Sequence, residues 1–230
     1  MKLYKLTDQE GYTRRNQTGQ TQWNSGFSME LPNVENPELC TNQVIHAYKN
    51  INLAFLLNLN HANIANPRIW EAGGDIACED WGKVGCFKLS VINELQSPEW
   101  LKTHKKEVQV WFAILCAESV LKYFENKYPK DARPRKAIEA AKEYLKNPSA
   151  DSAAYAADSA YAAYTAADSA YAAADSAYAA YAAADSAYAA ADSAYAAYAA
   201  YAAADAAADQ IDFGKLADMA VENVISGGDE

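Results

Sequence analysis

The sequence predicts an α+β protein. A small N-terminal α+β module is followed by an all-α region with a long Ala/Tyr/Asp repeat helix, or that helix folded into a hairpin or bundle. Three observations predict this. Short apolar stretches broken by Gly, Pro and Asn fill residues 1–96. Two segments with helical spacing of apolar residues lie between Glu107 and Asn147. Then comes a near-perfect 17-residue repeat: Tyr161 to Ala177 reads YAAYTAADSAYAAADSA, and Tyr178 to Ala194 differs only by Ala182 in place of Thr165. A third copy opens at Tyr195 and decays after Ala204.

In chain order, Leu3 to Leu6 reads as a strand, and Gly11, Asn16, Gly19, Asn24 and Gly26 punctuate the turns after it. Pro32 and Pro37 make Leu31 to Cys40 a loop. Val44 to Tyr48 is strand-like, Asn52 to Leu59 a short apolar helix, and Asn66-Pro67 a turn before a strand opening at Arg68. Gly73, Gly74, Gly82 and Gly85 suggest hairpins across 73–86, with a further strand from Phe87 to Leu95. Glu107 to Tyr128 is an amphipathic helix that Pro129 stops, and Pro134 suits the first turn of the next. A last helix runs from Phe213 to Val224, before a glycine-rich tail. The expected division is 1–100, 107–147 as a two-helix connector, 149–209 as the repeat array and 210–230 as helix and tail.

Alanine is the best helix former, and neither Gly nor Pro interrupts Ser149 to Ile211. About 60 residues of unbroken helix would span ~90 Å. Tyr and Asp recur three and four apart, the spacing of neighbours on a helix surface. Asp168, Tyr171, Asp175, Tyr178, Asp185, Tyr188, Asp192 and Tyr195 therefore form a ladder opposite a nearly pure Ala face. That ladder is the expected binding surface, and the Ala face admits close approach of a second helix or a second copy. A period of 17 drifts by roughly 100° per repeat on a straight helix, which favours a bundle or hairpin over a rod.

Charge divides the chain. Residues 1–149 hold 19 Lys/Arg and 17 Asp/Glu, whereas 150–230 hold Lys215 alone against 13 acids, a net of −12. Direct nucleic-acid binding by the repeat is excluded on sign. Mimicry of DNA by one helix is excluded on density: two Asp per repeat give about one charge per 13 Å against one per 1.7 Å of duplex. No long apolar run and no leader pattern are present, so a cytoplasmic protein with no membrane partner is expected.

No catalytic signature emerges, and the expected protein is not an enzyme, with no catalytic residue, metal or cofactor. Cys40, His46, His61, Cys78 and Cys86 are candidate zinc ligands, but Cys-x5-His and Cys-x7-Cys lack the tight CxxC of structural zinc sites. Free thiols and ordinary histidines are the simpler reading, with Cys116 as the fourth thiol. Arg14-Arg15 suits either an anion grip or a solvated loop, the latter being the simpler.

Two stretches carry resemblances. FAILCAESVLKYFENKYPKDARPRKAIEAAKEYLKNP, Phe112 to Pro148, running into Ala repeats, resembles immunity proteins of bacterial toxin systems, with RPRKAIEAA as its specific part. LYKLTDQEGYTRRNQTGQTQW, Leu3 to Trp23, with the segments Glu38 to Asn58 and Asn66 to Ala72, resembles an uncharacterised domain common in phage and prophage genomes. Together they imply a phage- or prophage-linked protein of a bacterial host cell. It would bind and neutralise a protein partner, a toxin or host defence component, with self-association through the Ala face as a further expectation. Two other classes stay open. In one, the order of elements resembles ADP-ribosyltransferase-like folds, implying a nucleotide-handling enzyme with His46, Tyr48 and Glu71 as its site. In the other, the array drives structural self-assembly.

Overall fold

The computed structural model describes residues 1–15, 17, 19–149, 151–152, 155–156, 193–207 and 210–226. They divide into two compact units, Met1–Glu99 and Trp100–Glu230. Strands come first and helices second, the mixed α+β class the composition predicts.

In the N-terminal unit, β1 (Lys2–Thr7) pairs antiparallel with β6 (Arg68–Glu79), and β6 with β7 (Val84–Leu95). The far edge of β7 takes two short strands in succession: β5 (Ile45–Ala47) against Val84 to Cys86, and β4 (Ser28–Glu30) against Lys88 to Ser90. Just past β5, Tyr48 exchanges both backbone hydrogen bonds with Tyr4, at 2.8 and 2.9 Å. The sheet therefore curls until β1 meets the end of β5. A separate ribbon joins β2 (Tyr12–Thr13) to β3 (Thr21–Gln22). Inside the curl, Leu3, Trp23, Ile45, Trp70, Cys86 and Leu89 belong to one buried cluster. The indole N–H groups of Trp23 and Trp70 donate to Thr13 and Thr7, each at 2.9 Å, so both rings enter the core with their polar atoms satisfied.

The helices of this unit are short. Asn50 caps α1 (Ile51–Leu56) by accepting from Leu53 N at 2.9 Å. Its buried Leu53, Ala54, Phe55 and Leu56 anchor it, and α2 (Asn58–His61) follows at once.

Residues 73–86 correct the sequence reading. They form no set of small hairpins but the two arms of one long hairpin, whose turn is held by Asp80 Oδ1 accepting from Gly82 N and Lys83 N at 2.8 and 2.7 Å. Gly74 and Gly85 lie inside strands because other atoms occupy the space a side chain would take. A Cβ on Gly74 would stand 2.5 Å from the Lys88 carbonyl oxygen, and one on Gly85 2.6 Å from a Val44 methyl. Gly74→Ala forces β6 away from β7 and is expected to cost about 1–3 kcal/mol, seen as a lowered urea midpoint. Gly73, whose Cβ would meet open space, is the control.

In the helical unit, α3 (Trp100–Thr103) precedes α4 (Lys105–Lys127), which packs against α5 (Arg133–Lys146), α6 (Ser193–Ala207) and α7 (Phe213–Ser226). The apolar spacing of α4 predicts a single buried face. In the structure Val108, Val110, Phe112, Ala113, Ile114, Cys116, Ala117 and Val120 are all buried, on more than one side, because α4 is the central helix of its unit. By contrast α5 is amphipathic, with Pro134 in its first turn and Ala137, Ile138, Ala141 and Tyr144 buried. Ion pairs Arg135–Glu125 and Lys142–Glu118, both 2.6 Å, flank its seam with α4. Against α4, helix α6 offers Ala199, Ala200, Ala202, Ala203 and Ala204, all buried, whose lack of bulk suits close helix packing. Asp212 begins α7 by accepting from Lys215 N at 3.0 Å, and Phe213, Ala217 and Ala220 form its buried face.

Candidate functional site

Of the ladder residues, Asp168, Tyr171, Asp175, Tyr178, Asp185, Tyr188 and Asp192 lie outside the described residues, and Tyr195 falls in the first turn of α6, where only the backbone is described. The chemistry that can be built atom by atom is in the N-terminal unit.

Six side chains converge there from separate elements: Lys5 on β1, Arg14 after β2, His46 on β5, Tyr48 beyond it, His61 ending α2, and Lys83 in the hairpin turn. They line a cavity of about 350 Å³. Lys5 is only 8% exposed, and its Nζ donates to the His46 carbonyl at 2.7 Å while lying 5.1 Å from the Trp23 ring centre. Burial, with Arg14 adding to it, lowers the Lys5 ammonium to about 8. His46 Nε2 accepts from Cys40 N at 2.9 Å, which assigns its proton to Nδ1. Burial lowers His46 to about 4, and Lys5, Lys83 and Arg14 press the same way. His61 is also lowered to about 4, by burial first and Lys83 second, against an opposing pull from Asp80. The Tyr48 hydroxyl and His61 Nδ1 are 3.3 Å apart, and the rings stack at 5.8 Å. Both imidazoles are thus neutral at pH 7.

Cys40 sits at the rim with its Sγ 2.9 Å from Lys83 Nζ. Two rim residues, Arg14 and Cys40, hold the left-handed backbone region at φ 52° and 62°, a conformation that costs energy in a residue with a Cβ. Of the Arg14-Arg15 pair, only Arg14 lines the cavity. Arg15 pairs with Asp8 at 3.0 Å and with Glu10.

His46 and Tyr48 are brought together as the enzyme alternative requires, but Glu71 does not join them. It lies opposite Tyr4 on β6, pairs with Lys2 at 3.2 Å and is absent from the cavity lining. The cysteines are free thiols: Cys40 is exposed, Cys86 and Cys116 are buried, and burial raises Cys86 to about 11. Among the described residues no group of three or more His, Cys, Asp or Glu is placed to hold a metal ion. Lys5 and Lys83 escaped the sequence reading. Strand alternation could have found Lys5, since residues 3 and 5 of one strand share a face and Leu3 is core.

The helical unit has a different significance. Its central helix is covered by α5 and by the small-residue helix α6 that ends the repeat, with α7 alongside. Such a unit is an all-α assembly of helices gathered on one central helix. The chain belongs to the family described as Imm-5 like putative immunity protein, whose profile matches residues 99–224. That span takes in α3 to α6, the whole repeat and all but the last two residues of α7. No curated protein and no solved structure matches the chain. Among the described residues no helix is long and apolar enough to cross a membrane.

Proposed function

We propose that this protein is an immunity or anti-defence factor that binds a protein partner, a toxin or host defence component, and neutralises it without catalysis. Membership of the immunity-like family over residues 99–224 carries this reading. The charge split supports it: the segment 150–230 is strongly acidic, and such a surface steers a basic partner into an encounter complex. The contact surface is the Tyr-Asp ladder, with Asp168, Asp175, Asp185 and Asp192 supplying charge and Tyr171, Tyr178, Tyr188 and Tyr195 supplying apolar area and hydroxyls. The N-terminal likeness to phage and prophage domains supports a gene carried by such an element.

The test is capture of the partner from the producing cell, then co-expression of captured protein with this chain. Growth arrested by the partner alone is expected to be restored by the wild type. Asn at the four aspartates is expected to weaken binding at least tenfold and reduce its salt dependence. Full rescue by the four-Asn variant would reduce the ladder to a solubility device. A large oligomer with no partner would favour self-assembly through the Ala face instead.

A further inference from the structure

The N-terminal unit contains eight Lys and Arg residues. Five are paired with carboxylates: Lys2 with Glu71, Arg15 with Asp8 and Glu10, Lys49 with Glu79, Arg68 with Glu94, and Lys88 with Glu30. The other three are Lys5, Arg14 and Lys83, and these three line one cavity. Among the described residues no carboxylate lines it. This unit itself holds 11 Asp and Glu residues against its eight cations, so three cations with no carboxylate pair among the described residues, around one hollow, are a specific arrangement.

Two of the three cations are nearly buried, Lys5 at 8% and Lys83 at 9% exposed. Burying an ammonium away from a counter-ion costs stability, and that cost is recovered when an anion enters. A lysine ammonium has three protons, of which one of Lys5's goes to the His46 carbonyl and one of Lys83's to Cys40 Sγ. Among the described residues Arg14 makes one side-chain hydrogen bond, a long one of 3.4 Å to the Thr41 carbonyl. Each retains donor capacity toward the hollow.

A second cavity of about 270 Å³ adjoins the first and shares Lys5, Thr13, Arg14 and His46 with it. Its other walls include Trp23, Met29, Leu31, Val44 and Ile45. A cation-lined hollow beside an apolar one fits a ligand with an anionic head and an apolar or aromatic body.

We propose that the N-terminal unit binds a small organic phosphate monoester, its dianionic head held by Lys5, Arg14 and Lys83 and its body lodged against Trp23 and Met29. Charge favours phosphate over carboxylate: three cations match a dianion better than a monoanion, and the guanidinium and ammonium groups suit phosphate oxygens. The site is independent of the ladder and of the family match.

The test is calorimetric titration of the full chain with phenyl phosphate, benzoate and benzylamine. Saturable 1:1 binding of phenyl phosphate is expected, at least tenfold tighter than benzoate, with none of benzylamine. Arg14→Gln and Lys83→Gln are each expected to weaken it about tenfold or more, the loss of one charge-assisted contact. Lys5→Met is expected to weaken it too while raising the melting temperature, because it removes a buried charge the empty site leaves unmatched. That rise separates loss of a contact from loss of the fold. Benzoate binding as tightly as phenyl phosphate, saturable benzylamine binding, no saturable phenyl phosphate binding, or binding unchanged by both Gln variants would each overturn the proposal.

Discussion

Phe124→Ala is expected to destabilise the helical unit by about 3–5 kcal/mol, the usual range for deleting a fully buried aromatic ring. Phe124 is fully buried on α4, the helix on which the unit is assembled, with its ring 5.2 Å from that of Tyr128 at the end of the same helix. Helix α4 packs against α5, α6 and α7, so a cavity in it loosens the element on which the others are assembled. Leu115, only partly buried on α4, is the contrast. Leu115→Ala is expected to cost clearly less, since part of its surface already faces water. Denaturant melts followed by far-UV circular dichroism measure both. A Phe124→Ala loss no larger than that of Leu115→Ala would mean that α4 is not the central packing element.

Acidification is expected to weaken the N-terminal unit between pH 6.5 and about 4. His46 and His61 are each held at about 4, against an ordinary 6.5 in the unfolded chain. Below 6.5 the unfolded chain takes up protons that the folded one refuses, so stability is full above 6.5, falls as pH drops, and levels off below about 4. Burial acts first on both imidazoles, joined for His46 by Lys5, Lys83, Arg14 and His61, and for His61 by Lys83 against the opposing Asp80. Allowing for the water that still reaches these rings, each contributes on the order of 1–2 kcal/mol over this window. The comparison that isolates the effect is wild type against His61→Phe, melted from pH 7.5 to 4. The variant keeps a stacked ring beside Tyr48 and is expected to lose stability less steeply. Parallel pH profiles would show that the ordinary carboxylates alone drive the acid transition. Lys5 acts at the other end of the scale: with its ammonium lowered to about 8, stability rises as pH passes from 8 toward 10.5.

Much of the fold was legible from local chemistry. The short stretch Leu3 to Leu6 marked β1, Pro134 marked the start of α5, and the spacing of apolar residues found α4 and α7. What failed was the meaning of glycine between residues 73 and 86. Glycine serves turns and close backbone approach alike, and only the register of β6 on β7 shows that Gly74 stands against the Lys88 carbonyl. The extent of α4's burial was likewise invisible, because apolar residues on several sides of a helix need partners on several sides, and those come from α5, α6 and α7. Of the candidate site, His46 and Tyr48 were singled out and do converge, whereas Glu71 is drawn away by Lys2. Lys5 was passed over because a lysine in a strand is by default an exposed one.

By itself the sequence determined the order of strands then helices, the 17-residue period of the Ala/Tyr/Asp array and the concentration of negative charge in 150–230. These are properties of neighbours along the chain: propensity, periodicity and composition act over a few residues and need no fold to be read. Only the tertiary structure decided which cations are matched. The pairs Lys2–Glu71 and Arg68–Glu94 join residues far apart in sequence, and Lys5, Arg14 and Lys83 meet only because β1, the loop after β2 and the hairpin turn close on one hollow. Charge pairing depends on distance in space, and the curled sheet sets those distances.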